Sequence, residues 1–278
     1  ADNGAIYLSQ WSGANWSTPV KLTPNDLAAN TRFGIAVAMD GDTAVVGTQR
    51  GSTGVSASGS AYVFRNNGGS WSQETELAAS DAATYDGFGL AVAIAGDTIA
   101  IGVPLDDDAG TSSGAAYIFT RTGTSWSQQA KLLANDATNG FQFGTSIAMY
   151  GTTVLIGAIG DNHAGSTSGS AYLYEQNGAA WSQSQKLTAS DAQTDDRFGQ
   201  AVAVGSDTAV VGAYGEDAAG SSAGAVYLYT APAVTFPTVC LYQSDGTTGI
   251  PGGVVQYYAG GWQDFGTTGT DGCVSKDI

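Results

Sequence analysis

Between residues 88 and 133 apolar and polar positions run with a period of two, and no segment sustains a helical period. "FGLAVAIAG" alternates and closes on a Gly-Asp turn; "TIAIGV" is short and mostly apolar. "GAAYIFTR" places small residues before aromatics, and "SWSQQAKLL" alternates again before a polar loop. The intervening "AGDT" and "TGTS" are hairpin turns, because Gly and Asp tolerate positive φ. The pattern predicts four short antiparallel strands.

The same unit recurs every 55 residues. Phe33-Gly34, Phe88-Gly89, Phe143-Gly144 and Phe198-Gly199 fall in step, as do Trp16, Trp71, Trp126 and Trp181. Asp26, Asp81, Asp136 and Asp191 keep the spacing, with Tyr7, Tyr62, Tyr117, Tyr172 and Tyr227 and with Gly47, Gly102, Gly157 and Gly212. A fixed period of this size marks units that cannot bury their own faces and must stack. Four strands per unit, repeated radially, make a propeller blade. The expected fold is all-β, with the repeated Phe and Trp as core between blades and slim alanines (Ala36, Ala38, Ala91, Ala93, Ala201, Ala203) in the innermost strand.

Charge narrows the function. Twenty-five acidic residues against nine basic ones give −16 over 278 residues. Nucleic acid and anionic membranes need a basic face, so neither is expected as a partner. No apolar run approaches the ~20 residues of a spanning helix, so membrane insertion is not expected either. A secreted or cell-surface protein is expected.

The phrase "FGxxVAxxGDTAVVGA", followed by an acidic Gly-containing loop, "SGSAYVF", Trp and "KLTASDA", resembles the FG-GAP repeat of integrin alpha subunits and bacterial surface proteins. The resemblance covers residues 1 to about 230. It implies an extracellular propeller that binds proteins or carbohydrate or serves as a structural part; no enzyme is expected, because a fold alone does not supply a site. One departure stands out. The integrin-type calcium loop needs room between the first two strands, and here that turn is only "MDGDT", "IAGDT", "YGTT" or "GSDT", too short to wrap a calcium ion.

The best candidate for calcium is instead the loop after the second strand: Asp106, Asp107 and Asp108 in "LDDDAG", Asp161 and Asn162 in "GDNHAG", and Glu216 and Asp217 in "GEDAAG". Hard oxygen ligands suit calcium, and adjacent carboxylates repel without a counter-ion. The alternative is a solvated loop whose acids cap backbone amides. Asp26, Asp81, Asp136 and Asp191 are read as structural, fixing their bends through nearby amides. The single His163 lies in an acidic surface loop, no Ser/His/Asp or Cys/His set can be assembled, and no catalytic residue is assigned.

The repeat stops after Thr230. Residues 231–237 read as a Pro-containing linker, and 238–278 as a partial β-sandwich that resembles prealbumin-like or immunoglobulin-like modules. Cys240 and Cys273, the two cysteines, sit in its predicted strands, and a disulfide is expected in an oxidising compartment. "ADNGAIYLSQ" aligns with the third strand of a blade, "SSAGAVYLYT". A segment of a longer surface protein is the expectation, with a self-closed ring or completion by neighbouring subunits as alternatives. The function expected is adhesion, matrix or filament assembly, or recognition of a protein or glycan, with copies of itself among the partners. A carbohydrate-binding or carbohydrate-active propeller is the alternative.

Overall fold

A computed structural model describes residues 4–26, 31–50, 55, 57–217, 220 and 223–230, and the strand backbones at 239–240, 254–258, 262–267 and 273–274. The chain divides into two compact units, Ala1–Tyr229 and Thr230–Ile278. Among the described residues all regular structure is β.

The first unit opens with a pair, β1 (Ile6–Leu8) and β2 (Val20–Leu22). Three four-stranded antiparallel meanders follow. The first is β3 (Phe33–Asp40), β4 (Thr43–Thr48), β5 (Ser60–Asn67) and β6 (Ser70–Leu77). The second is β7 (Ala91–Ala95), β8 (Thr98–Val103), β9 (Ala115–Thr122) and β10 (Ser125–Leu132). The third is β11 (Phe143–Tyr150), β12 (Thr153–Ala158), β13 (Ser170–Asn177) and β14 (Ala180–Leu187). A last sheet of three strands holds β15 (Phe198–Val204), β16 (Thr208–Ala213) and β17 (Ala225–Thr230). Each sheet is one blade of the expected propeller type, packed face to face on the next.

The Phe-Gly pair explains how blades join. Phe33, Phe88, Phe143 and Phe198 are all buried, each in edge or tilted contact with the tyrosine of its own third strand. The glycine after each takes φ near 90°, which lets the first strand bulge there. The bulge brings its carbonyl against the preceding blade: a Cβ on Gly47, Gly102 or Gly157 would stand 1.8, 2.1 or 1.9 Å from the carbonyl oxygen of Gly89, Gly144 or Gly199. These glycines repeat because two backbones touch there.

Apolar packing is likewise shared between neighbours. Val45, Ala61 and Val63 of one blade lie in a single cluster with Val92 and Ile94 of the next. The tryptophans differ from expectation. Trp71, Trp126 and Trp181 are only partly buried, packed against the edges of the apolar clusters, and Trp16 is 68% exposed. A bulge in the fourth strand sets Glu74 and Gln129 out of register, and each accepts the indole N–H of the following blade's tryptophan, Trp126 at 3.0 Å and Trp181 at 3.1 Å. A polar N–H with a partner on the rim keeps the ring at the edge of the interface.

In the second unit β18 (Val239–Cys240) pairs with β21 (Cys273–Val274), and β19 (Val254–Tyr258) with β20 (Trp262–Thr267), all antiparallel. The linker 231–237 lies outside the described residues.

Candidate functional site

The acidic loop after the second strand meets a lysine from the fourth. In the second blade Lys131, on β10, lies opposite Tyr117 of β9. Its ammonium stands 2.9 Å from Asp81 and 2.8 Å from Asp106, also contacts Asp108, and sits 5.2 Å from the Tyr117 ring centre. The Tyr117 hydroxyl donates to Asp81 at 2.7 Å and to Asp106 at 3.0 Å. The third blade repeats the arrangement. Lys186 lies 2.6 Å from Asp136 and 2.7 Å from Asp161, and Tyr172 donates to Asp136 at 2.9 Å. Asp161 also accepts from Ser170 and from the His163 amide.

The sequence-based candidates therefore divide. Asp106 and Asp161 are buried and face an ammonium, so their counter-ion within the chain is lysine. Asp107 and Asn162 instead accept backbone amides from Ser112 at 2.6 Å and Thr167 at 2.7 Å, which is loop-capping work. Glu216 is buried at the corresponding place after β16, with Asp217 beside it. Among the described residues no group of three or more His, Cys, Asp and Glu side chains is arranged to hold a metal ion. Asp81, Asp136 and Asp191 accept the hydroxyls of Tyr117, Tyr172 and Tyr227, each 36 residues on, rather than only local amides. Asp26 is exposed in the corresponding bend of the first blade.

Sequence reasoning missed the lysines and two further acids. Lys21, Lys131 and Lys186 keep the 55-residue period, with Glu76 standing in the series, and that spacing was the available signal. Asp86 and Asp196, two residues before the Phe of the second and fourth blades, are buried and accept the amides of Ala83 and Gln193, both at 2.6 Å. Burial holds the Asp86 carboxyl above its ordinary pKa despite the Ala83 bond.

The protonation states are fixed far from neutrality. Burial would raise Asp81, but the bonds from Lys131 and Tyr117 outweigh it and hold the carboxyl below the usual range; Asp136 behaves alike with Lys186 and Tyr172. Burial would lower Lys131, but bonds to Asp106 and Asp108 carry it above the ordinary lysine value. Burial pushes Tyr117 and Tyr172 well above the ordinary phenol. Such groups do not exchange protons near pH 7, and their bonding capacity is spent inside the blade. The cluster is a strand-to-loop staple.

The first blade departs from this plan. Glu76 occupies the lysine position, and Tyr62 is driven up by burial and by the adjacent Glu76 and Asp26 charges. Glu76→Lys is expected to restore the pairing and add roughly 0.5–1 kcal/mol, the range of part-exposed ion pairs. Thermal melting checks this: a rise of about 2–3 °C is expected, and a fall would refute it.

The FG-GAP repeat profile matches residues 16–64, 71–119, 126–174 and 181–229. Each match runs from the tryptophan of one fourth strand through the third strand of the next blade, so the matched unit is out of phase with the sheets. No curated protein sequence matches the chain. FG-GAP propellers serve ligand or protein recognition and are typically non-catalytic. With the matches covering most of its length, and with Phe-Gly at every blade junction, the chain belongs to the FG-GAP repeat family.

Proposed function

We propose that this chain is a non-enzymatic protein-recognition module of a secreted or cell-surface protein, working in adhesion or extracellular assembly. The observation that carries the reading is the apolar outer face at each end of the row of blades. Val37 and Met39 on β3 are 62% and 60% exposed, and Val226 and Leu228 on β17 are 63% and 68% exposed. Their counterparts at internal junctions are buried or packed between blades. Apolar surface of this kind, rimmed by polar loops, is what protein interfaces use.

Beads coated with the chain test the reading. They are expected to cluster, or to retain a purified extracellular protein partner, and to lose this with Val37→Asp or Val226→Asp. Beads that retain only glycans, or a chain that turns over glycosides, would overturn it.

An oxidising compartment is supported by the backbone register that sets Cys240 opposite Cys273. We propose a disulfide between them. Intact mass of the natural material is expected to be two hydrogens below that of the dithiol, and reduction should cost the second unit about 3–4 kcal/mol. Quantitative alkylation without reductant would remove the disulfide and its support for the compartment.

A further inference from the structure

The last blade is built to receive a neighbour that the described residues do not supply. Gly212, on β16, is in step with Gly47, Gly102 and Gly157, yet a Cβ there would meet nothing nearer than Ala201 at 3.7 Å. Gly224 is in step with Gly4, Gly59, Gly114 and Gly169, each of which bridges the Phe of the following blade, whereas Gly224 makes no such bridge among the described residues. Gly224 keeps a positive φ of 75° and needs glycine for that alone, whereas nothing in the backbone of Gly212 calls for glycine unless another Phe-Gly carbonyl docks on it. No ladder joins β15, β16 or β17 to β1, β2 or β3, the strands at the other end of the row.

We propose that the docking partner is a second copy of this chain, whose β3 face packs on β16 and β17 head to tail. The inference rests on the recognition reading above and names its partner. Three observations select a second copy. First, the apolar sets correspond: Val45, Ala61 and Val63 pack on Val92 and Ile94 inside the chain, and the same positions on the open faces are Val210, Val226 and Leu228 against Val37 and Met39.

Second, the groove beside β3 is held by a near-copy of the incoming strand. Gly4 bridges Phe33, and Gly4-Ala5-Ile6-Tyr7-Leu8 differs from Gly224-Ala225-Val226-Tyr227-Leu228 only by Ile for Val. β1 makes a ladder of three residue pairs with β2, and Val37 and Met39 stay exposed beside it. β17 of another copy fits the same register and brings β15 and β16 with it. It displaces β1 and completes a four-stranded blade with the second copy's β2.

Third, charge is complementary. In that blade Lys21, which faces Tyr7 now, would face Tyr227 and the Asp191 bonded to it, as Lys131 and Lys186 face their own Tyr-Asp pairs. The contact is heterologous, so it propagates into filaments unless the rotation closes.

Sedimentation of the full chain over a range of concentrations tests this. The parent is expected to form dimers and longer species by mass action. Gly212→Ala is expected to melt as the parent does, since its Cβ fits the free chain, but to weaken association by more than about tenfold because the methyl would strike the Gly34 carbonyl. Val226→Asp/Leu228→Asp and Val37→Asp/Met39→Asp should each be monomeric alone. Mixed, they should form a dimer and stop there, because one intact face of each kind remains. A parent monomeric at every concentration, or a Gly212→Ala chain that associates like the parent, would overturn the proposal. If such a monomer still captures a purified partner on beads, the recognition reading stands without it; if it captures none, both fall.

Discussion

Gly102→Ala is expected to cost this protein about 3 kcal/mol or more, which would lower the melting temperature by roughly 6–12 °C. The added methyl would stand 2.1 Å from the Gly144 carbonyl oxygen and 3.1 Å from the Ala91 Cβ. The first of these partners is a backbone atom at the bulge of β11, so no rotamer change relieves the clash and the second and third blades must separate. Separation also opens the seam around Phe143, one of the largest fully buried side chains. Because repeat units are coupled mainly to their neighbours, the loss should appear as a broadened or split melt rather than a uniform shift. A Gly102→Ala chain that melts with the parent would show that the blades can part without cost, and would contradict the close approach described above. The same substitution at Gly212, where the nearest atom to the added methyl is Ala201 at 3.7 Å, is the internal contrast.

Removing one lysine should be nearly as damaging. Lys131→Met leaves the buried Asp106 facing a thioether, with the more exposed Asp81 and Asp108 beside it, and stranding that one buried carboxylate costs about 3 kcal/mol, the low end for a broken buried pair. The pH dependence separates this from a mere packing defect. In the parent, Asp81 is held below its unfolded value near 4, so its contribution is full above that pH and is lost as pH falls through the lower folded value. Lys131 is held above its unfolded value near 10.4; its contribution is full below that pH and is lost only as pH rises through the higher folded value. The parent cluster therefore has a plateau between about pH 5 and 10.

Without the ammonium, mutual repulsion and burial raise the carboxyl pKa values above the unfolded ones, and mild acid then stabilises the variant. The deficit of Lys131→Met should shrink from pH 7 toward pH 4, and adding Asp106→Asn should recover part of it. Asp86, raised by burial, contributes in the opposite sense to Asp81, and losing the Lys131 charge that lowers it pushes its carboxyl in the same upward direction. A deficit that does not change with pH would reduce the staple to simple side-chain packing.

The period of 55 residues, the alternation within it and the Gly-Asp turns were enough to specify strands, blades and their order, because each is a local or near-neighbour property of the chain. The buried Phe of each Phe-Gly pair was legible for the same reason. The fate of the polar positions was not. Asp106 and Asp161 looked like cation ligands, and the ammonium each faces comes from 25 residues further on, carried beside it by the antiparallel return of the fourth strand. Asp81 looked like a bend residue, yet its partners are a tyrosine and a lysine 36 and 50 residues away. Trp126 and Trp181 recur as faithfully as the phenylalanines, but a fourth-strand bulge places a hydrogen-bond acceptor on the rim and keeps them there. Periodicity determines which residues are equivalent; which of them meet, and whether a charge is solvated or neutralised, depends on register and on the blade that lies across the interface.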